Sequence, residues 1–464
     1  MRFQSLLFVS AVSVWLCGSG GAEAYATGAD GNWLQEQPQG QVSIRYAHTA
    51  IYDSIGDRMV VFGGSGASGF ALSDVWALAL GGDPAWTQLT PAVPLGPGRI
   101  FATAIYDPVR DRMVEFGGYY IDFQSNQIFY PLGVYELSLA GSPVWTLLAP
   151  TGFGRYAHTA IYDPVREQMV VFGGALDTLD GDSIFFNDVW MLSLRGNPAW
   201  TQLVPLPADP RRRTGSPSAR AYHTAIYDPI RDRMVVFGGY NGTEYVNDVW
   251  ALELAGSPEW TQLAPLGTRT PSARGLHTAI YDPVRDRMVV FGGFASGDDL
   301  NDVWALELAG SSAWTQMAPL GTPPSAREAH TAIYDPVRDR MVAFGGFGMG
   351  PLNDVWDLTW GTPVSVPPEA VNDALSLASA FPNPSRSDIA IAFTLPRAGA
   401  ATLRVYDVSG RLVRTLVEGT LSGGSHLVHW DRQLSSGKLA PSGSYFYELR
   451  VDGKKQARRI VLIN

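Results

Sequence analysis

The chain has 464 residues and a formal net charge of −10, with 50 Gly, 32 Pro, 14 Trp and one Cys. Charged residues are only 17% and hydrophobic ones 46%, which excludes a disordered acidic tail and a coiled coil, whose composition is dominated by Ala, Glu, Lys and Leu. The acidic balance gives no footing to a phosphate-tracking nucleic-acid binder, while high Gly and Pro with many aromatics point to short strands joined by turns.

The N-terminus reads as an export signal over residues 1–24. Arg2 supplies the basic start, Leu6 to Leu16 an apolar run, and Ala22-Glu23-Ala24 an A-x-A cleavage site. Cys17 is an alternative lipoprotein cysteine, but the bulky Leu16 precedes it. No later stretch reaches about 18 apolar residues, so the mature chain is expected to have no transmembrane segment. Cleavage after Ala24 removes the only cysteine, and with it any disulfide, thiolate metal site or cysteine nucleophile. The expected location is secreted or attached to the outer surface.

Repetition dominates the next stretch. The segment from Arg220 to Gly239, Arg-Ala-Tyr-His-Thr-Ala-Ile-Tyr-Asp-Pro-Ile-Arg-Asp-Arg-Met-Val-Val-Phe-Gly-Gly, recurs nearly verbatim. Its Gly pairs are Gly63-Gly64, Gly117-Gly118, Gly173-Gly174, Gly238-Gly239, Gly292-Gly293 and Gly345-Gly346, at intervals of 54, 56, 65, 54 and 53 residues. Each unit holds four short strands. Strand a is His-Thr-Ala-Ile-Tyr, b is Met-Val-Val-Phe, c is Val-Trp-Ala-Leu and d is Trp-Thr-Gln-Leu. The c-strand tryptophans are Trp76, Trp190, Trp250, Trp304 and Trp356, with Tyr135 in the second unit. Gly-Gly ends strand b, where the backbone turns in a crowded place or takes φ > 0.

Strands a, b and c occur six times, but strand d follows only the first five, at Trp86, Trp145, Trp200, Trp260 and Trp314. A sixth d strand, Asn32-Trp-Leu-Gln35, precedes the first repeat. Joining it to the orphan a-b-c set closes a ring and removes sheet edges. The expectation is an all-β protein: a six-bladed propeller over residues 25–360, clasped by its N-terminal strand.

These units, with their Gly-Gly pair and following Trp, resemble the kelch repeat, whose copies form β-propellers with one repeat per blade. Four antiparallel strands put the d-to-a links and b-to-c loops on one face, and the short a-to-b and c-to-d turns on the other. The first face carries the variation, so it is the expected binding face. Its candidates are Tyr119, Tyr120, Phe123, Phe129 and Tyr130 in the second b-to-c loop, with Asp177, Asp180, Asp182, Phe185 and Phe186 in the third. Arg211, Arg212 and Arg213 lie in the longest d-to-a link. Arg45, Arg99, Arg155, Arg220, Arg274 and Arg327 recur three residues before the His position. The resemblance implies that they could ring a central channel and grip an anion. The alternative is a structural ion pair with Asp74, Asp188, Asp248, Asp302 and Asp354, which recur in step.

His48, His158, His223, His277 and His330 occupy one position in separate blades, too far apart for shared metal ligation; hydrogen bonding at strand starts is the expected role. No metal or other cofactor is implied. Some kelch-type propellers are enzymes, including copper oxidases of the galactose oxidase kind and a sialic-acid epimerase. The copper oxidases need a Tyr–Cys crosslink that a cysteine-free mature chain cannot form. The sequence carries no nucleophile elbow, phosphate loop or His-Glu-x-x-His pattern. Glu115, where other repeats have Val or Ala, is the odd carboxylate, expected to pair with a neighbour or face water.

Residues 361–374 read as a Pro-rich linker, and 375–464 as a small β-sandwich. Phe381-Pro-Asn-Pro384, Tyr406-Asp-Val-Ser-Gly-Arg411 and Ser442-Gly-Ser-Tyr-Phe-Tyr447 carry a resemblance to the C-terminal sorting modules of type IX secretion substrates. They are also similar to the immunoglobulin-like domain of flagellar hook-capping proteins. The reading is thus a secreted or surface-displayed protein that binds an extracellular protein or glycan and meets secretion machinery through its C-terminal module. A carbohydrate-active enzyme of oxidase, epimerase or lyase type is the alternative.

Overall fold

The structure, a computed structural model, describes residues 30–360 except 123, 124, 126, 179, 208–213, 267 and 268. It also describes residues 376–462 except 378, 379, 381–388, 396, 398, 409, 422, 423 and 452. The export signal with Cys17, Phe123, Arg211 to Arg213, the linker 361–374 and the Phe381-to-Pro384 motif lie outside the described residues.

Every regular element described is a strand. Strand a of each blade alternates, as Thr49–Asp53 does with its buried Thr, Ile and Asp separated by half-buried Ala and Tyr. Strand b has no exposed face: Gln168–Phe172 and Arg233–Phe237 are buried at every position. That is why strand b reads as a continuous apolar run rather than as an alternation, for each such strand lies between its sheet neighbours and two adjoining blades.

Blade 1 is the sheet Thr49–Asp53, Arg58–Phe62, Val75–Ala79, Ala85–Leu89 in that order. The next four blades repeat it. Blade 6 is assembled from both ends of the repeat region. Asn32–Glu36 pairs antiparallel with Pro351–Thr359, with Asn32 opposite Thr359 and Glu36 opposite Val355. The innermost strand of blade 6, Thr331–Asp335, neighbours that of blade 1, so the ring is closed.

The blades are cemented by one repeated contact. The Phe that ends strand b packs on the d-strand Trp of the following blade, as Phe172 on Trp260 and Phe237 on Trp314, each with 4.9 Å between ring centroids. Phe344 of blade 6 reaches Trp86 of blade 1 at 4.8 Å. Trp33, from the N-terminal strand, takes the same place against Phe291 at 4.9 Å. The clasp thus supplies both a sheet edge and a core residue.

Gly-Gly is required by the same inter-blade geometry. Gly238 and Gly239 have φ of +68° and +103°. A Cβ would lie 2.7 Å from the Arg274 carbonyl oxygen on the first and 2.8 Å from that of Ala221 on the second. The space is closed because the Gly239 N–H donates to the Arg274 carbonyl at 2.8 Å, a bond repeated around the ring up to Gly346 and Arg45 at 2.9 Å.

The C-terminal part has two sheets. One holds Ser376–Leu377, Ile389–Leu395 and Gly424–Trp430; the other runs Leu412–Leu421, Gly399–Asp407, Gly443–Val451, Lys454–Leu462. Their inner faces share one core, with Ile391, Phe393, Leu403, Trp430 and Tyr447 at its centre. This is the sandwich that the alternating pattern predicts.

Candidate binding face

The axis of the propeller is built from six residues in the left-handed region: Ala47, Phe101, Ala157, Tyr222, Leu276 and Ala329, with φ between 50° and 59°. Each precedes the first residue of strand a. Each N–H donates to the carbonyl of its counterpart in the preceding blade, over 2.8 to 3.0 Å, and Ala47 closes the circle by donating to Ala329. Six backbone hydrogen bonds therefore form an unbroken ring around the axis. A non-glycine residue at positive φ costs about 1–3 kcal/mol, and this ring offsets that strain.

Beside it lies a belt of imidazoles. The Nε2 of His158, His223, His277, His330 and His48 meets the Thr Oγ1 of the preceding blade at 2.7 to 3.0 Å. Burial, reinforced by the neighbouring Arg, pushes all five well below the usual imidazole value, so they are neutral. They bound an axial cavity of ≈ 160 Å³ together with the ring residues. Among the described residues no group of three His, Cys, Asp or Glu is placed to hold a metal.

The recurring arginines lie between blade layers rather than around the cavity. Arg45, Arg155, Arg220, Arg274 and Arg327 are each at most 2% exposed. Each makes a bidentate pair, at 2.6 to 3.0 Å, with Asp74, Asp188, Asp248, Asp302 or Asp354. The same guanidinium caps the carbonyl of the first glycine of its blade. Trp76, Trp190, Trp250, Trp304 and Trp356 donate Nε1–H to those aspartates at 2.6 to 2.7 Å. Burial alone would raise these carboxylates, but the Arg hydrogen bonds and charge outweigh it and hold them below the usual range. The arginines are engaged in the structural pairing, with no donor turned toward a ligand.

Blade 2 departs from this. Gly133 stands where the other blades have Asp, Tyr135 replaces Trp, and Ala102 replaces His. Arg99 is left beside Glu115, with Nε 4.0 Å from Oε1, and it donates to the carbonyls of Pro97 and Gly98. Glu115 is fully buried, and neither carboxyl oxygen has a hydrogen-bond partner. Burial, against the opposing charge of Arg99, pushes it up to about 8. Of the two expectations for Glu115, pairing with a neighbour or facing water, the first is the one in the fold: it lies inside the protein in a long ion pair with Arg99, with no hydrogen bond to it.

The face of d-to-a links and b-to-c loops is an aromatic bowl floored by the axial ring. Phe101 lies across the axis against Tyr222, with 5.2 Å between centroids. Tyr119 packs on Phe101 and Tyr156, and Tyr130 stacks on Tyr156. Asp177 accepts hydrogen bonds from the hydroxyls of Tyr130 and Tyr156, at 3.0 and 2.9 Å. Further round, Phe185, Tyr240, Tyr245 and Phe294 form a row with centroid spacings of 5.3 to 5.8 Å. A hairpin of blade 2 rises from the bowl: Tyr120 stacks on Phe129 at 5.4 Å, and Ile128, Phe129 and Leu132 are exposed.

The model of the KLHDC2/KLHL20/DRC7 Kelch-repeats domain matches residues 133–270 and 209–363, and that of the FlgD Ig-like domain matches 384–456. This is a kelch-repeat propeller protein with a FlgD-type immunoglobulin-like domain. A stretch of 251 residues is 26% identical to the leucine-zipper-like transcriptional regulator 1 homolog of Drosophila melanogaster, covering 51% of this chain and 23% of that one. Over 329 residues it is 29% identical to tip elongation aberrant protein 1 of Schizosaccharomyces pombe, covering 67% of this chain and 26% of that one. These alignments span about a quarter of the relatives' length. The solved structure of YjhT superposes with a TM-score of 0.52 and 15% identity, over 68% of this chain and 94% of that one, a likeness of fold.

In this kelch propeller the opposite face is a second circle. Arg166, Arg231, Arg285 and Arg338 each pair with an Asp of their own turn and one of the next blade, namely Asp232, Asp286, Asp339 and Asp57. Arg110 reaches Glu167 in the same way. Blade 1 has Gly56 at this position, so Asp111 of blade 2 receives no such arginine, and burial raises its carboxyl. Sequence reasoning missed two features of the binding face. The axial ring residues vary in side chain, so nothing marks their shared backbone. Glu328, in the link of blade 6, differs from the Tyr, Ile, Ala or Gly of the other blades, and that departure was the available signal.

Proposed function

We propose that this kelch propeller is a protein-binding module displayed outside the cell, and that the FlgD-type domain serves its export or attachment. The aromatic bowl carries the reading. Large rings held on a rigid ring of strands offer contact area at low entropic cost, and the exposed Ile128, Phe129 and Leu132 of the blade 2 arm add apolar surface. The turns of the opposite face are short and nearly identical, and most of their arginines are committed to ion pairs with the next blade, which favours the variable bowl as the docking side. One relative is named as a transcriptional regulator homolog and another as a Rho GTPase-activating protein.

The test is binding of the mature chain to displayed peptide libraries and to glycan arrays, comparing wild type with Phe129→Ala and Tyr156→Ala. The reading expects selective peptide capture that these variants lose. Capture unaffected by either variant would refute it. The stacked Tyr120 and Phe129 rings favour glycan as the second ligand class, since such platforms fit sugar rings; array signals confined to glycans would establish that instead. The enzyme alternative rests on Glu328, a half-buried carboxyl pushed up to about 7 by burial and by Asp299, a value suited to proton transfer; turnover lost in Glu328→Gln would support it.

A further inference from the structure

The rim of the bowl is uneven in charge. Glu328 lies in the d-to-a link of blade 6, pairing through its backbone with Phe347. Across from it is the blade 5 hairpin, where Phe294 is opposite Asp299. The Arg327 N–H donates to the Leu300 carbonyl at 2.9 Å, which holds the Glu328 link against that hairpin; Tyr245 of blade 4 packs on Phe294 at 5.8 Å, and burial, with the charge of Glu328, raises its hydroxyl. Two half-buried carboxylates, Glu328 and Asp299, therefore share this part of the rim with the Tyr245 and Phe294 rings.

Among the described residues no cation answers them. Neither carboxylate makes a hydrogen bond or ion pair there. Arg327 is adjacent in sequence, but its donors go to Asp354, Ser325 and the Gly345 carbonyl. Residues 25–360 contain no lysine, and the b-to-c loops contain no arginine. A half-desolvated carboxylate without a partner loses free energy that a cationic ligand would restore. A flat guanidinium suits the place best, because it can stack on an aromatic face while its N–H groups take a carboxylate in the same plane.

We propose that Glu328, Asp299, Tyr245 and Phe294 form a docking site for an arginine side chain of the protein partner. This rests on the reading of the bowl as a protein-binding face and names the chemistry of what enters it. Arg327 and Asp354 hold the link beneath, so the site is preorganised. The neighbouring Gly275 fixes the Tyr245 ring: a Cβ there would meet that ring at 2.8 Å, so the ring packs directly on the glycine of the link.

The experiment is calorimetric titration of the mature chain with a short arginine-bearing peptide and with the same peptide carrying citrulline, an uncharged isostere. The proposal expects the citrulline form to bind roughly tenfold or more weakly, as loss of a charge-assisted contact does. Glu328→Gln should erase that difference, and Tyr245→Ala should weaken the arginine form. Asp83→Asn, in an exposed turn on the other face, should leave both unchanged. Equal binding of the two peptides, or a preference that survives Glu328→Gln, would overturn the arginine site. If that equal binding is also lost in Tyr156→Ala, the bowl remains the protein-binding face. Absence of binding by either peptide overturns the site as well.

Discussion

Glu115 is a costly residue for the propeller, and moving its carboxylate should show how much. A pKa of about 8 in the folded protein, against an ordinary 4.5, means that the native state keeps a proton the unfolded chain has released. Native binding of more protons makes stability fall with rising pH across that window and level off above it. At about 1.4 kcal/mol per pH unit, the loss is roughly 3 kcal/mol by pH 7 and roughly 5 kcal/mol by pH 8. Removing Glu115 alone would strand Arg99, and an unpaired buried charge costs about 3–5 kcal/mol. The informative variant is therefore Glu115→Val with Gly133→Asp, which restores the arrangement of the other blades. Gly133 is not in the left-handed region, and the nearest atoms to an added Cβ belong to the side chains of Leu147 and Tyr135, at 2.8 and 3.0 Å, which must shift slightly to admit it. Urea unfolding of wild type and double variant at pH 5, 7 and 9 should give curves that diverge with pH, the variant gaining most at pH 9. Parallel pH dependence in the two proteins would refute the assignment.

Four further outcomes follow from the repeated contacts. Trp33→Ala, which removes the ring that N-terminal closure places on Phe291, should cost about 3–5 kcal/mol, and deleting residues 25–40 should abolish cooperative thermal unfolding. Arg220→Ala should lower stability by about 3–5 kcal/mol by leaving Asp248 unpaired; in wild type the depressed Asp248 contributes stability that is present above the ordinary carboxylate pKa and lost as pH falls below it, and the variant should lose that acid-side slope. Gly239→Ala should cost at least about 1–3 kcal/mol in urea unfolding, from positive φ and the Ala221 carbonyl together; an unchanged midpoint would refute the packing argument.

What the sequence revealed was whatever the repeat multiplied. Six copies of strands a, b and c against five following d strands determine the clasp by counting, and Trp33 fills that vacancy in space. The arginines and aspartates recur in step, and the pairing offered as one of two readings is the one in the fold. Other features lie in relations between copies, which one repeat does not display. The His–Thr belt joins residues more than 50 positions apart, so strand starts alone pointed to hydrogen bonding but not to its partner. The axial ring is a backbone property, shared by Ala, Phe, Tyr and Leu, and side-chain identity carries no trace of it. Glu115 was visible as an exception, but its burial follows from blade stacking, which the linear pattern does not contain.

The exceptions share a location. Ala102 leaves Thr49 without the imidazole that the other blades receive, Gly56 removes the arginine due to Asp111, and Gly133 removes the aspartate due to Arg99. All three fall at the junction of blades 1 and 2, where Glu115 is also buried. The backbone ring and the Phe62–Trp145 contact, at 4.9 Å, remain there, so the junction holds by main chain and apolar packing while its polar bonds are depleted. Blade 2 is also the blade whose b-to-c loop grew into the aromatic hairpin. Local departures from a fold's own rules concentrate where function has been added, and a ring closed by six equivalent interfaces tolerates one weak member because the other five hold its geometry. The repeat that surrendered its shared bonds is thus the repeat that gained the exposed Phe129, which makes the blade 2 arm the part of the face to probe first.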